Sequence, residues 1–315
     1  MKQLRLLYPY NTPNNYQFFT QGFADEIAKT GVSVVDALNI SRNVRIAIAK
    51  LRISRNFKCL SKDKYLIVCC GGYIDNAAFP FGYANNVIPI IWDSWPKYWD
   101  RLIASFKRHN IRLAFFTQGQ TAKFVEKQLP EVKCVHIPEG LSSQGYKIGN
   151  LLKNRSIDVL ELGRLYLPIH NELLKIKDEV NLQFAKGKLL FKDQDALTDG
   201  LAATKIVVNF PRCITHPEMA GSIETLTQRY WECMYSRCVM LGHAPQELID
   251  LLGFNPVVEI DEKNALETVR EILNNIDSYQ EIVDKNYEVA KKMGGWENRI
   301  PILRKYICEV VGCEL

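Results

Sequence analysis

The sequence lacks any apolar run of 18 or more residues, and its longest apolar stretches, such as Tyr65–Cys70, have the length of a strand. Its first residues, from Met1 to Arg5, lack the apolar core and the small-residue cleavage site of a signal peptide. We therefore expect a cytoplasmic protein without a membrane-spanning helix. Peripheral attachment to the inner face of the membrane stays open.

Metal-binding patterns are also missing. There are nine cysteines but no Cys-x2-Cys pair, and Cys233/Cys238 and Cys308/Cys313 are spaced unlike zinc ligands. Several other cysteines lie inside apolar runs, where a small buried thiol is the common interpretation. The five histidines do not form a ligand set by their spacing. We expect reduced cysteines and no metal cofactor.

The chain is long enough for two domains, because 315 residues exceed the usual size of one. Strand-like and helix-like stretches alternate, which predicts an α/β fold with two doubly wound, Rossmann-like domains. The predicted strands are Leu4–Tyr8, Tyr65–Cys70, Val87–Trp92, Leu113–Thr117, Val132–Ile137, Asp158–Leu162, Gly187–Phe191, Lys205–Phe210, Cys238–Leu241 and Val257–Ile260.

Charge is distributed unequally between the two halves. Residues 1–150 hold 20 Lys and Arg against 10 Asp and Glu, a net of +10, whereas residues 151–315 hold 20 against 25, a net of −5. A basic half indicates an anionic partner, such as a phosphate-bearing acceptor, a membrane surface or a nucleic acid. Much of the excess lies in a basic amphipathic stretch that suits a membrane interface or a solvated helix face; it contains Arg42, Arg45, Lys50, Arg52 and Arg55.

Glu224 and Glu232 stand eight positions apart, with a Pro-containing loop before them and an amphipathic stretch between them. Eight residues make about 2.2 helical turns, so two such carboxylates can lie near one face of a helix that begins near Leu226. Carboxylates accept strong, charge-assisted hydrogen bonds from vicinal diols. The spacing therefore suits a ligand with two separated diols.

The segment from Val207 to Glu259, with its Glu-x7-Glu pattern, resembles the donor-binding half of GT-B glycosyltransferases, in particular families 4 and 1. The resemblance implies a GT-B architecture. It implies an acceptor-binding domain at 1–148, a nucleotide-sugar domain at 149–295, and a terminal helix at 296–315 that crosses back to the first domain.

The resemblance also implies a donor site. Arg164, after Gly163, would hold the diphosphate; the Lys that usually follows is missing, and Arg229, Lys192 or Arg212 would replace it. Glu224, with the backbone after Gly221, would bind the donor sugar, and Glu232 the ribose. The remaining predicted donor-binding residues are Phe210, near the base, with Ser222, Thr225, Leu226 and Thr227 at the helix entrance.

Acceptor residues are predicted on the first domain, in loops after strands. Asn14 and Asn15 follow the first strand, and Gly72 follows the next. Trp92, Asp93 and Trp95 end another strand, where the carboxylate could act as a base and the indoles could stack on sugars. A helix N-cap with core tryptophans is an equally good interpretation.

The predicted function is metal-independent transfer of a sugar from a nucleotide sugar, UDP- or GDP-linked, to a glycan or lipid-linked acceptor. Retention of anomeric configuration is favoured, within cell-surface polysaccharide or glycoconjugate synthesis. The alternatives are an inverting transferase with Asp93 as base, a nucleotide-sugar epimerase of the same fold, and more distantly a nucleic-acid-binding module. No recognition motif supports the last, so no nucleic acid is expected as a partner.

Overall fold

The computed structural model describes residues 2–9, 18–38, 40–51, 63–72, 74–185 and 190–315. The chain divides into two compact units, and neither is a single stretch of sequence. The first unit comprises Met1–Glu139, Met219–Ile223 and Trp296–Leu315, and the second comprises Gly140–Glu218 and Glu224–Gly295. The N-terminal segment of the first unit ends at Glu139, before the predicted boundary between residues 148 and 149. The domain division stays a prediction.

The first unit contains a parallel sheet of six strands in the order β2-β1-β3-β4-β5-β6. Its strands are β1 (Gln3–Tyr8), β2 (Ser33–Asp36), β3 (Lys64–Cys70), β4 (Asn86–Ile91), β5 (Leu113–Phe116) and β6 (Lys133–His136). Its helices before the second unit are α1 (Phe18–Ala28), α2 (Arg42–Leu51), α3 (Ile74–Ala77), α4 (Trp99–His109) and α5 (Gly119–Gln128), with 3-10 turns at Phe81–Tyr83 and Pro96–Tyr98.

The central strands of this sheet are apolar on both faces because helices cover both sides of a parallel sheet. In β3, Ile67 and Cys69 point into one core, and Leu66, Val68 and Cys70 point into the other. Such uninterrupted apolar runs carry the strongest strand signal in the sequence, and β3, β4 and β5 are where they were predicted.

The terminal helix α14 (Ile300–Val311) completes the first unit. Leu303, Ile307 and Val311 recur every four residues and are buried in the core beneath β1 and β3. Trp296, just before the helix, stacks on Phe23 of α1 with ring centroids 4.5 Å apart. Burying three aliphatic side chains stabilises this packing by roughly 5–9 kcal/mol. The predicted return of the terminal helix to the first unit is confirmed.

The second unit contains a parallel sheet of five strands in the order β11-β10-β9-β7-β8. The strands are β7 (Ile157–Glu161), β8 (Leu182–Phe184), β9 (Thr204–Asn209), β10 (Val239–Gly242) and β11 (Val257–Glu259). The helices between Gly140 and Gly295 are α6 (Leu167–Leu173), α7 (Gln194–Ala202), α8 (Arg212–Thr215), α9 (Pro217–Ala220), α10 (Gln228–Tyr235), α11 (Gln246–Leu252), α12 (Ala265–Asn274) and α13 (Gln280–Met293). The 3-10 turns of this stretch are Leu152–Asn154, Leu174–Ile176 and Ile276–Tyr279, and a further turn at Trp296–Arg299 belongs to the first unit.

Two edge strands depart from the prediction. The strand placed at Gly187–Phe191 is wrong for Leu190 and Phe191, which are not in a strand, and residues 186–189 lie outside the described part; β8 lies earlier, at Leu182–Phe184. Strand β2 was not predicted at all. It is short and largely exposed, so it lacks the apolar run that marks a buried strand.

Candidate functional site

The strand order of the second sheet indicates where a ligand would bind. The order reverses between β7 and β9, and in open α/β sheets ligands bind beyond the carboxyl ends of the strands at such a switch point. A cavity of about 480 Å³ lies between the two loops that leave these strands. It is lined by residues 163–168 after β7, by Ala185 after β8, and by Thr215 and His216 after β9.

Arg164 reaches this cavity because the chain turns sharply after β7. Gly163 has φ +86°, a backbone conformation that glycine adopts freely and other residues rarely do. Arg164 follows as an exposed residue on the cavity wall. A guanidinium presents a planar fork of donors that matches a phosphate group.

A buried pair of hydrogen-bonded side chains underlies the loop that carries Arg164. Glu161 is the last residue of β7, and its Oε2 lies 2.6 Å from Nδ1 of His170 in α6, with both side chains almost fully buried. Burial raises the pKa of the Glu161 carboxyl, and the bond to His170 offsets part of this rise. The ring of Phe184 packs edge-on against His170 at 4.7 Å. The pair therefore links the end of β7 to α6 across the loop from Leu162 to Tyr166.

Thr215 and His216 were not predicted as site residues, although they line the cavity. The hydroxyl of Thr215 and Nδ1 of His216 are buried atoms that have no hydrogen-bond partner among the described residues. Buried polar groups are normally paired, so two such atoms beside a cavity suit contacts to a ligand. Their position after a predicted strand is the signal that could have identified them.

Glu224 lies before the helix rather than on it. Helix α10 begins at Gln228, two residues later than predicted, and Glu224 is four residues upstream. Its Oε2 accepts a hydrogen bond from the backbone N–H of Gln246 at 3.0 Å, and its Oε1 lies 2.6 Å from Nε2 of His243. About a quarter of the side chain, 26%, is exposed, so the carboxylate remains accessible to a ligand.

Glu232 has different partners and is more deeply placed. Its carboxylate accepts a hydrogen bond from the hydroxyl of Tyr146 at 2.8 Å and pairs with the guanidinium of Arg229, one helical turn away. Burial, with the nearby Glu232 charge, raises the pKa of Tyr146, so its hydroxyl stays protonated and donates. The two glutamates are therefore held by separate networks, one before α10 and one on it. Arg229, a candidate for the missing phosphate-binding cation, is paired with Glu232.

The other predicted donor residues are distributed around these groups. Phe210 contacts the ring of Tyr166 on the cavity wall, with centroids 4.9 Å apart. Arg212 is the first residue of α8, and Lys192 is exposed with its ammonium 3.8 Å from Asp193.

The segment around Glu224 divides between the units. Gly221 and Ser222 belong to the part of the chain that groups with the first unit. Thr225 and Leu226 are buried in the second unit, and the backbone N–H of Leu226 donates to Glu247 at 3.1 Å. Thr227 directly precedes α10. Their assignment to a donor stays a prediction.

In the first unit the predicted acceptor residues meet at the ends of β3 and β4. Gly72 and Asp93 both line a cavity of about 10 Å³, which has room for roughly one water molecule. Asp93 is exposed and has φ +50°, a strained conformation that is frequent at functional sites. The turn that carries Asp93 is held by Gln118, whose Oε1 accepts hydrogen bonds from the backbone N–H and the hydroxyl of Ser94 at 3.0 and 2.9 Å.

The tryptophans that flank Asp93 are core residues. Trp92 is 2% exposed and packs against Trp296 and Phe23, and Trp95 is 4% exposed. Their indoles do not present a face to solvent on which a sugar could stack, and their acceptor role stays a prediction. Asn14 and Asn15 lie outside the described residues.

Within the described ranges, no group of three His, Cys, Asp or Glu residues is placed to hold a metal ion. The triplet Asp193-Gln194-Asp195 has the spacing of a metal-binding Asp-x-Asp, but Asp193 instead caps α7 by accepting from the backbone N–H of Ala196 at 2.8 Å. None of the helices in the described part of the chain combines the length and apolar character needed to cross a bilayer.

Solved structures share this architecture over essentially the whole chain. Sucrose-phosphate synthase from Thermosynechococcus elongatus matches 99% of this chain and 100% of its own, with a TM-score of 0.62 and 10% identity. HepE from Anabaena, solved in complex with UDP, matches 99% and 100% with a TM-score of 0.56 and 11% identity. A glycosyltransferase from Rickettsia africae ESF-5 matches 98% of both chains with a TM-score of 0.55 and 11% identity.

The chain has the GT-B fold. The predicted fold class is thereby confirmed, with its two doubly wound units and returning helix. At 10 to 11% identity the likeness to these GT-B structures extends to the architecture alone. No protein-family model matches the sequence, and no curated protein matches it.

Proposed function

We propose that the protein is a glycosyltransferase whose second unit binds a nucleoside-diphosphate sugar at the switch point between β7 and β9. The observation that carries the proposal is the cavity of about 480 Å³ beside Arg164. Its volume lies within the range of small-molecule sites, which is roughly 300–1,000 Å³. HepE, which shares the fold, was solved in complex with UDP.

Arg164 would neutralise the leaving group. In the transfer, the bond between the anomeric carbon and the β-phosphate oxygen breaks, and a hydroxyl oxygen of the acceptor bonds to that carbon. Negative charge grows on the diphosphate as it leaves, so a guanidinium aimed at it stabilises the transition state more than the ground state. In this role Arg164 makes a metal ion unnecessary, and we propose that transfer proceeds in the presence of a chelator.

We propose a retaining reaction, in which the hydroxyl proton of the acceptor passes to the departing phosphate oxygen and no protein base is needed. Glu224 would bind hydroxyls of the donor sugar, and Glu232 the ribose. An inverting reaction is the second candidate, because Asp93 is an exposed carboxylate in a strained backbone conformation at a strand end. The anomeric configuration of the product decides between them.

The acceptor is proposed from charge. The excess of basic residues in 1–150, 20 against 10 acidic, suits a phosphate-bearing, lipid-linked acceptor or a glycan presented at an anionic membrane surface. Such acceptors occur in cell-surface polysaccharide and glycoconjugate synthesis on the cytoplasmic side of the membrane, which is where we place the protein.

Thermal-shift measurements with UDP-, GDP-, ADP- and CMP-sugars test the donor proposal. A ligand that binds the folded state raises stability by mass action, by about 2.7 kcal/mol at 100 times its Kd. We expect one nucleotide class to stabilise the wild type and to lose this effect in Arg164→Gln. The matched control is Arg270→Gln, whose guanidinium pairs with Glu179 on the surface. No stabilisation by any nucleotide sugar would reject the proposal.

A further inference from the structure

Three side chains of the second unit form a linear chain of hydrogen bonds with a histidine at its centre. Nε2 of His243 lies 2.6 Å from Oε1 of Glu224, and Nδ1 lies 2.8 Å from Oε2 of Glu259. Glu259 is itself fixed, because its Oε1 accepts from the backbone N–H of Ala244 and from Nδ2 of Asn255, both at 2.9 Å. Glu224 and Glu259 therefore meet opposite edges of one imidazole ring.

The backbone holds this imidazole in place. Gly242 ends β10 at φ +142°, and a Cβ at this position would stand 2.0 Å from the carbonyl oxygen of Asn209, so only glycine fits. The next residue, His243, donates its backbone N–H to the same oxygen at 3.0 Å. Its carbonyl oxygen accepts the hydroxyl of Tyr230 at 2.7 Å. The backbone of His243 is thus fixed by two strands and α10, independently of the carboxylates that contact its ring.

The pattern of contacts requires a charged imidazole. A neutral ring has one N–H and could donate to only one of the two carboxylates, whereas the protonated ring donates to both. Burial lowers the pKa of His243, but the hydrogen bonds and charges of Glu259 and Glu224 outweigh it, so the pKa is raised above its ordinary value.

Other ionisable groups nearby do not change charge near neutral pH in a way that would compete. Burial raises the pKa of Tyr230 and of Cys213, and the Glu224 charge adds to both shifts, so the two groups stay neutral. Glu247, on α11, accepts a hydrogen bond from the backbone N–H of Leu226. His243 is therefore the group whose protonation changes the charge of the chain from Glu224 to Glu259.

We propose that His243, as an imidazolium, is the positioning residue that holds Glu224 for the donor sugar. This role rests on the proposed function, in which Glu224 binds sugar hydroxyls. The charged ring fixes one carboxylate oxygen, and Gln246 fixes the other. When His243 loses its proton, the one remaining N–H can donate to only one carboxylate, and in the tautomer that donates to Glu259, Glu224 keeps only the bond from Gln246. Recognition of the sugar, but not of the nucleotide, is therefore present below the pKa of His243 and lost as the pH rises through it.

The first experiment needs no substrate. The pKa of His243 is measured by NMR of its ring in the wild type, Glu224→Gln and Glu259→Gln, with Glu288→Gln on the surface of α13 as the control. We expect both replacements to lower the pKa of His243 and the control to leave it unchanged. Glu259 is partly exposed, so its replacement should not unfold the protein. An unchanged pKa in Glu224→Gln overturns the proposal.

The second experiment compares UDP with UDP-glucose and GDP with GDP-mannose by calorimetric titration. The affinity gained from the sugar should fall about tenfold or more in His243→Gln, the loss expected for a charge-assisted hydrogen bond, while the affinity for the bare nucleotide is unchanged. His243→Arg keeps a permanent cation with donors, and it should restore part of the gain and remove its dependence on pH.

The outcomes separate the two proposals. Equal loss of nucleotide and nucleotide-sugar binding in His243→Gln indicates a structural role and overturns the positioning role. Absence of binding by all four probes, with the expected pKa changes observed, rejects the donor assignment for these nucleotides and with it the sugar-positioning role, although the coupling of His243 to Glu224 stands. A sugar-specific loss that follows the pKa of His243 supports both.

Discussion

The two units contain sheets with the same reversal of strand order, yet the loops beyond the strands differ. In the second unit, the loops after β7 and β9 open a cavity of about 480 Å³ lined by Arg164. In the first unit, Gly72 and Asp93 at the ends of β3 and β4 enclose about 10 Å³ above a core of tryptophans. One topology thus supports a ligand pocket beyond β7 and β9 and, among the described residues of the first unit, only a water-sized cavity beyond β3 and β4, because the loops rather than the sheet determine the site.

The largest effect on activity, and the strongest test of the contrast between the two units, is expected from replacing Arg164. Arg164→Gln should lower turnover by about 100- to 1,000-fold, the usual loss when one group that stabilises transition-state charge is removed. Steady-state kinetics with the donor found by thermal shift measures it, with Arg270→Gln as the control. Full activity in Arg164→Gln would show that another cation, such as Arg212, binds the phosphate.

The basic first unit should bind anionic membranes. Arg42→Gln, Arg45→Gln and Lys50→Gln together should weaken binding to anionic vesicles by about 3 kcal/mol, roughly 1 kcal/mol per charge. All three lie on α2, where Val44 and Leu51 are exposed apolar residues, while Arg52 and Arg55 of the same basic stretch lie outside the described residues.

Vesicle flotation at low and high salt measures this effect, because exposed charges are screened beyond about 8–10 Å. Three exposed lysines of the second unit, Lys177, Lys263 and Lys292, provide a matched triple replacement by Gln that should leave flotation unchanged. Equal flotation of both triple variants and the wild type would favour a soluble acceptor.

The deeper glutamate of the second unit should contribute to nucleotide binding. Glu232→Ala is expected to weaken binding of the nucleoside diphosphate by about 1.5–3 kcal/mol, the size of a charge-assisted hydrogen bond. Calorimetry measures it, and Glu288→Ala on α13 is the control. A lower unfolding temperature with unchanged affinity would show that Glu232, with Tyr146 and Arg229, only stabilises the second unit.

The smallest effect is expected at Asp93. Replacing this residue by glycine relieves the positive φ and should raise the free energy of unfolding by up to about 1 kcal/mol. Asn110→Gly, at φ +48° at the end of α4, relieves a similar conformation away from β4 and should give a comparable gain. Loss of transfer in Asp93→Gly and Asp93→Asn, but not in Asn110→Gly, would identify Asp93 as functional and the first unit as part of the chemistry.

The strands could be predicted where burial on both faces produces a continuous apolar run in the sequence. Strands β3 and β9 lie between neighbouring strands and are apolar on both faces, so their runs are unmistakable. Strands β2 and β8 lie at sheet edges, where the side chains are exposed or only partly buried, so these strands lack an uninterrupted apolar run. A strand was therefore predicted at the apolar run Leu189-Leu190-Phe191, whereas the strand itself is Leu182–Phe184.

The site could be predicted only in part, for a similar reason. Arg164 was predicted because it follows a strand and because the resemblance to GT-B glycosyltransferases implies an Arg there, and it does line the cavity. His243, which contacts Glu224, follows β10 and lies 19 positions further along the chain, and Glu259, which contacts the other edge of the His243 ring, ends β11 and lies 35 positions beyond Glu224. No spacing rule joins these residues. The eight-residue spacing of Glu224 and Glu232 suggested one helix, but the helix starts after the first of them.

The return of α14 to the first unit has a consequence for synthesis on the ribosome. The first unit is mostly made of residues up to Glu139, but its core lacks Trp296, Leu303, Ile307 and Val311 until that later segment has been made. At about 5–20 residues per second, roughly 8–30 s separate Glu139 from Trp296. During that interval the second unit acquires all of its residues while the apolar face beneath β1 and β3 stays uncovered. The unit that is translated first therefore cannot complete its core until the second unit has been translated.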